Sequence, residues 1–450
     1  MADLVMSRSS ITRNALRIST VEGCWAVGHF VLTSGAFFTG FALFLGATDF
    51  QLGVLAAIPL LAQVFQLPGA YIVEKTGWRR QIVGWFSVVS RSFWLPIALV
   101  PLLPGHHAMR WFMALYLVSS VVMNFAGAGW VAWMSAIVPP QIRGRYFGMR
   151  NRINGGISIM ASLVAGLVID AFRDRHFEQG GYLTLQLIAV FAGLMAFRLI
   201  LRQPDPDYRA EELPPLGRYL LQPLRDANYR HIMFFYLYWM FAVSLAAPFF
   251  NAHLLKHMNW NFRSLAVVGI LFSVSNILFH PLWGKLVDRY GHKPILMTTA
   301  TGIVALPLFY AFCPWDARWP IYFNAIFGGI CWAGNGLALF NLILEFLPAN
   351  RRTMYVAVLA ALSGIVNFVA SILSGWLAQL LAGLEWNVIG FTVVNYTVLF
   401  LITAVLRIPA LLILHHIREP DAVQTRVFVR RMFIEFNRRI GIGRHVFPYP

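Results

Sequence analysis

Long apolar runs follow one another along this chain almost without pause. They fall at 23–45, 52–73, 82–103, 111–137, 153–172 and 182–201, and, after a polar gap, at 232–255, 265–283, 295–313, 321–347, 354–381 and 388–414. About 20 apolar residues in a helix cross the ~30 Å hydrocarbon of a bilayer, so each run is near spanning length. The pattern predicts an all-α polytopic membrane protein with twelve transmembrane helices, six on each side of the gap. Pro59, Pro68, Pro96, Pro248 and Pro307 lie inside runs. Membrane helices tolerate such prolines because neighbouring side chains re-satisfy the backbone groups they free.

Polar stretches divide the chain into four expected parts. These are a first bundle over 1–201, a cytoplasmic linker over 202–230, a second bundle over 231–414 and a tail over 415–450. Pro204, Pro206, Pro214, Pro215 and Pro223 mark the linker, where a short surface helix is expected around 218–226. In the tail, Val429, Met432, Phe433, Phe436 and Ile440 recur at helical spacing against Arg431, Arg438 and Arg439. Such a helix lies in the headgroup plane; a solvated tail is the alternative.

Composition supports the membrane reading. The chain is 58% hydrophobic and 12% charged, with a mean hydropathy of +0.63, whereas soluble domains carry about a quarter charged residues. The net charge of +17 does not point to nucleic acid, because the basic residues sit in short links between runs. With the N-terminus in the cytoplasm, 27 of the 36 Lys and Arg fall on that side, 6 on the other and 3 inside runs. The positive-inside rule then puts both termini in the cytoplasm. A bacterial inner membrane is the expected location, and anionic lipid the expected partner of the basic links and tail. The first run is too long for a cleaved signal peptide and reads as a retained helix. Cys24, Cys313 and Cys331 form no CxxC pair and imply neither disulfide nor zinc. No cofactor, metal ligand set or phosphate loop is present, so direct ATP use is not expected.

Between two runs lies G-K-L-V-D-R-Y-G-H-K-P, residues 284–294, and a weaker copy follows the second run with Glu74, Lys75, Gly77, Trp78 and Arg79. Gly291 lies 214 positions after Gly77. Pro348, Arg352 and Tyr355 repeat the spacing of Pro139, Arg143 and Tyr146 at an offset of 209. Two landmarks with nearly one offset argue for two homologous six-helix halves. The glycines permit a tight turn between antiparallel neighbours.

These residues resemble the signature of the major facilitator superfamily, roughly G-x-L-x-D-R-x-G-R-K. Gly284, Leu286, Asp288, Arg289, Gly291 and Lys293 match it in the second half, with His292 in place of one arginine. In the first half Glu74 and Lys75 replace the acid and arginine, while Gly77 and Arg79 match. The resemblance implies two pseudo-symmetric bundles of six helices that transport a solute by alternating access. It also implies that the loop acid engages the start of a helix in the other half and closes the cytoplasmic side. Asp288 is then expected near Arg150 and Asn151, and Glu74 near Arg352, with Arg143 in the matching loop. Glu345 is expected to pair with Arg289 or Arg352. A purely topogenic loop is the alternative.

The same resemblance implies a central cavity lined by helices one, four, seven and ten. Helical spacing offers His29 and Thr33 on the first, Asn124 and Trp130 on the fourth, and Tyr236, Ser244 and Asn251 on the seventh. The tenth offers Asn324 and Asn335. Polar side chains in hydrocarbon usually face the bundle interior, although amides and small residues also serve packing. Arg91 is the one charge read near the middle of a run, with a structural hydrogen-bonding role favoured. Glu22 and Asp170 lie near run ends, where water is expected to reach them. No acid occupies the middle third of any run, which disfavours a cationic solute. The Gly-Pro antiporter motif is also absent from the fifth run.

The expected function is secondary transport of a small neutral, anionic or amphiphilic organic solute, coupled to protons or as a uniporter, by a monomer. The rivals are a non-transporting receptor or scaffold on the same fold and a polytopic membrane enzyme. The adjacent His106–His107 and His415–His416 pairs argue little for the latter.

Overall fold

The computed structural model describes residues 2–139, 142–205, 224, 227–314, 316–345, 352–388, 391–417, 419, 423 and 425–431. Most of the linker and of the amphipathic tail therefore lies outside the described residues. Lipid offers no partner to a bare peptide group, so apolar runs must satisfy their backbone within helices. Twelve helical spans result, and they are numbered here in chain order. The first half has spans 1 to 6, at Arg13–Phe44, Asp49–Val73, Arg79–Leu102, His107–Gly127, Arg145–Arg173 and Glu178–Leu201. The second half has spans 7 to 12, at Tyr229–His257, Phe262–Tyr290, His292–Ala311, Trp319–Ile343, Val358–Leu380 and Asn395–His416.

Three details depart from the hydrophobic pattern. Span 1 is two helices, Ala2–Leu32 and Gly35–Phe44, joined where Gly35 takes φ +58°. Span 7 breaks likewise: Ala227–Ser244 gives way to a turn over 245–248, then to Phe249–Ala252 and a π-helical turn at His253–His257. A proline ring clashes with the carbonyl four residues back, so Pro248 accounts for the second break. The run expected at 388–414 starts as a β-hairpin, with β1 Glu385–Val388 paired antiparallel to β2 Phe391–Val394. Val388, Phe391, Thr392, Val393 and Val394 are β-branched or aromatic types that favour extended backbone, and span 12 begins only at Asn395.

The buried apolar residues show how the halves meet. One cluster draws on both halves at the end remote from the termini, joining Phe37, Phe41, Leu52 and Tyr182 to Phe249, Phe262, Ala378 and Tyr396. At the terminal end there are two separate clusters. One holds Ala15, Val83, Trp133 and Ile200 of the first half, and the other Tyr229, Trp239, Trp283 and Tyr290 of the second. Among the described residues the halves thus share a core at one end only.

Small residues let the backbones approach along that shared end. A Cβ on Gly53 of span 2 would lie 2.6 Å from Gly375 Cα of span 11, and one on Gly364 would lie 2.6 Å from Leu60 O. Spans 5 and 8 meet similarly, with a Cβ on Gly166 placed 3.1 Å from Phe262 O. Gly53→Ala should therefore lower the thermal midpoint of the purified protein by several degrees, the scale of the ~1–3 kcal/mol that overpacking costs. Gly28→Ala, with nothing within 4 Å of its Cβ, should leave the midpoint unchanged or slightly raised.

Candidate functional site

The shared end is sealed by a buried carboxylate. Thr48 and Gln51 form a capping box that starts the helix of span 2 and holds Asp49 in its first turn. Asp49 is 3% exposed. It accepts hydrogen bonds from Lys256 Nζ, Asn395 Nδ2 and Tyr396 Oη, each at 2.6 Å, and all three donors belong to the second half. A second carboxylate bridges the same end. Asp170, at the end of span 5, accepts the backbone N–H groups of Phe262 (3.0 Å) and Arg263 (2.9 Å), the first turn of span 8. A helix N-terminus is favourable ground for an anion.

Inside this seal lies a cavity of about 560 Å³ between the halves. The two broken helices form its edge: Ser34, Gly35, Ala247 and Asn251 line it and also a neighbouring lobe of about 310 Å³. Ser158 and Ser162 of span 5 add hydroxyls, while Phe250, Phe272 and Trp332 add apolar and aromatic wall. Tyr310 and Arg407 complete the polar side. Pro307 explains the placement of Arg407. A proline inside a helix leaves the carbonyl four residues back without its N–H, here that of Ile303. Arg407 Nη1 donates to Ile303 O at 2.7 Å. One turn along the same helix, Asn324 Nδ2 donates to Leu306 O at 2.6 Å.

Three of the sequence-predicted cavity residues line these lobes. Asn251 lines both, Asn324 the larger, and Ser244 the smaller, where its hydroxyl also donates to Asn367 at 2.9 Å. The others lie elsewhere. His29 Nδ1 donates to Ala189 O at 2.9 Å, and Thr33 to His29 O at 2.8 Å, both within the first bundle. Asn124 accepts from Gln66 at 2.8 Å, and Tyr236 stands beside Ser363. Asn335 is fully buried, and its amide makes no hydrogen bond among the described residues. Sequence reasoning passed over Ser34, Tyr310 and Arg407. A proline in one run facing a basic residue in another was the available signal, but it becomes readable only once the two runs are known to touch.

The first half contains its own buried charges. Arg150 Nη2 lies 3.2 Å from Glu22 Oε2, its Nε donates to Ser19 O at 3.3 Å, and its guanidinium covers the Trp130 ring at 4.9 Å. Glu22 is 4% exposed, which corrects the expectation that water reaches it: the long helix begun at Ala2 carries this position below the surface. Trp130 accordingly supports Arg150 instead of lining either lobe. Arg91 is also buried, packed against Gly193 in the same bundle. Arg407, 2% exposed, is likewise buried in the middle of a span, so Arg91 is not alone in that respect.

The two charged elbows at the terminal end are fastened within their own halves. Gly77 (φ +71°) and Gly291 (φ +88°) take the left-handed region that ends one helix before the next begins. After span 6, Asp205 meets Arg79 Nη2 at 3.4 Å and accepts the Arg80 N–H at 3.4 Å. After span 12, Glu419 accepts the His292 and Lys293 N–H groups at 2.9 and 2.7 Å. Lys293 Nζ donates in turn to His415 O and Ile417 O. Glu419 follows Asp205 by 214 positions, the same offset as the glycines.

Asp205 and Glu419 thus sit on the starts of spans 3 and 9 in their own halves, whereas the resemblance placed Asp288 and Glu74 at the starts of spans 5 and 11 in the opposite halves. Asp288 is exposed, and Arg150, its expected neighbour, is held by Glu22. Arg289 lies over Tyr290 at 5.2 Å. Glu345 reaches His292 Nε2 at 3.9 Å. Lys75 is exposed, and a Cβ on Gly284 would meet only Leu337, at 3.8 Å. The side chains of Glu74, Arg143 and Arg352 lie outside the described residues. His292, Glu345 and Glu419 offer donor atoms within 4.8 Å of one another. Both Glu419 oxygens are already committed to backbone N–H groups, so the trio is accounted for by capping. Asp205→Asn and Glu419→Gln should each lower the thermal midpoint, costing about 1–2 kcal/mol. Asp288→Asn should change stability by less than ~0.5 kcal/mol.

Twelve spans in two bundles, joined at one end around a cavity, define a multi-pass membrane protein with a transporter fold. A family model of the Major Facilitator Superfamily matches residues 25–252 and 232–434, and the chain belongs to that family. It is 27% identical over 133 residues to the class H tetracycline resistance protein of Pasteurella multocida, a match covering 30% of this chain and 32% of that protein. The chain therefore aligns with about a third of that relative's length. Among solved structures, a point mutant of the nucleoside transporter NupG superposes with a TM-score of 0.70 at 13% identity, covering 90% of this chain and 99% of the other. The inward open xylose transporter XylE from E. coli gives 0.66 at 15% identity, covering 92% and 98%. At such identities the structural likeness concerns the fold.

Proposed function

We propose that this protein carries a small organic solute across a membrane by secondary transport, rocking two rigid halves about the cavity between them. The observation that carries this reading is the one-ended junction. Asp49, Asp170 and the glycine crossings join the halves at one end, whereas the buried clusters at the other end are separate. A site held at the interface of two repeats, reached from one side at a time, is what alternating access requires. The family membership supports transport over a scaffold or enzymatic role.

The basic excess on the terminal side supports cytoplasmic termini, with a bacterial inner membrane as the location and anionic lipid against the basic links. The arrangement described is then inward-facing. In the opposite state the exposed Asp288 meets the start of span 5, and Glu74 meets the start of span 11 near Arg352. Asp49 releases its three donors at the same time. The solutes of the named relatives differ from one another, so none is carried over here.

Two measurements test this. In a background with Cys24, Cys313 and Cys331 replaced, a cysteine at Asn251 should react with an impermeant maleimide from the terminal side. Asp49→Asn should add labelling from the opposite side by at least several-fold. Reaction from the far side alone in the parent protein would sink the reading. In proteoliposomes, saturable uptake of a labelled organic solute should fall by about tenfold in Asp288→Asn if the loop acid gates the terminal side; an unchanged rate removes Asp288 from the gate.

A further inference from the structure

We infer that the cavity is an organic-anion site and that Arg407 receives the negative group of the solute. This rests on the transport reading and names its solute class. Arg407 lies in span 12 and lines the larger lobe, with Tyr310, Asn324 and Trp332 on the same wall. Its side chain is 2% exposed. One of its five N–H donors goes to the Ile303 carbonyl left free by Pro307. Its Nε makes no hydrogen bond among the described residues. Among the described residues no acid pairs with it, and neither lobe of the cavity has a carboxylate in its wall.

A charge at this depth is costly unless an opposite charge meets it. Satisfying a single carbonyl does not call for a cation, since an amide or hydroxyl donates equally well. The fold does not demand one either. At the 214-residue offset that pairs Asp205 with Glu419, the position matching Arg407 is Gly193, which carries no side chain. A charge at this repeat position therefore occurs in the second half only, beside the cavity.

Arg91 supplies the contrast. It too is buried with unpartnered nitrogens, yet it sits close enough to Glu22 to feel its charge and lines neither lobe. The apolar side of the cavity, Phe250, Phe272 and Trp332, suits an aromatic or aliphatic body. The volume of about 560 Å³ is ordinary for a small-molecule pocket. A monocarboxylate carried on an aromatic ring fits both requirements: its charged head bridges the free guanidinium donors, and its ring lies against the apolar wall.

The experiment is a thermal-shift panel on the full-length purified protein. The probes are benzoate, 4-hydroxybenzoate, phenylacetate and indole-3-acetate, each beside its neutral carboxamide. At least one carboxylate should raise the midpoint by several degrees at millimolar concentration, and its amide should not. Arg407→Gln keeps a donor for Ile303 and removes the charge, and should weaken the effective carboxylate at least about tenfold. Arg407→Lys should retain part of the affinity. The wild-type comparison of acid with amide stands by itself if Arg407→Gln does not fold. Stabilisation by amides alone, by no carboxylate, or equally in Arg407→Gln overturns the inference. Counterflow in proteoliposomes separates the two readings. A bound carboxylate that never crosses the bilayer leaves the anion site standing and removes transport. Robust flux of neutral solutes, unchanged in Arg407→Gln, removes the anion site and leaves transport.

Discussion

The Asp49 carboxylate holds the two halves together more directly than any other polar group described. It belongs to the first half, yet its three donors, Lys256, Asn395 and Tyr396, come from the second. Charge-assisted hydrogen bonds of this kind are individually strong, and the cost of leaving a buried carboxylate unpaired is larger still. A buried ion pair is nonetheless weak evidence for net stability, because desolvation offsets the attraction. In the proposed rocking motion it acts as a latch that favours one arrangement of the halves. The glycine crossings around it, Gly53 with Gly375 and Gly364 with Leu60, provide close fit without polar bonds that would oppose separation.

A latch is useful only between stiff bodies, and each half is stiffened within itself. Asp205 and Glu419 fasten the elbows of their own halves at equivalent positions. The Glu22–Arg150 pair, covered by Trp130, ties span 1 to span 5 inside the first half. The exposed Asp288 stands apart from these internal ties, at the end where the halves share no core. The same chemistry, an acid on a helix start, thus serves two purposes. Within a half it caps the starts of spans 3 and 9, and between halves, at Asp170 and span 8, it forms part of the closed end.

The cavity follows from faults in otherwise regular helices. Span 1 breaks at Ser34–Gly35 and span 7 after Ser244, 210 positions later, so both repeats interrupt the helix where the halves face each other. Pro307 adds a third fault by releasing the Ile303 carbonyl, which Arg407 takes up. Irregular backbone at membrane depth is tolerated only where protein or water can satisfy it. The bundle interface is therefore where such breaks collect, and where polar side chains become available to a solute.

The repeat, the twelve spans and the elbow glycines were legible in the chain because they rest on local causes. Spanning length follows from hydrophobicity, and Gly77 and Gly291 follow from the left-handed turn they must make. The strand Phe391–Val394, with Val388 of its partner, was read as membrane helix because its apolar residues satisfy a hydropathy window equally well in either conformation. The site was less legible. Ser244, Asn251 and Asn324 could be picked by helical spacing, whereas Arg407 could not, since its role depends on a carbonyl freed a hundred residues away. Trp130 and Glu22 acquired their meaning from Arg150, a partner that local pattern does not identify. What the order of residues determined alone was the number, length and repetition of the spans, each a property of a short stretch and its solvent. Which polar groups pair, and which one is left facing a cavity, was decided by tertiary packing, because in hydrocarbon a charge takes whatever partner the fold brings within reach.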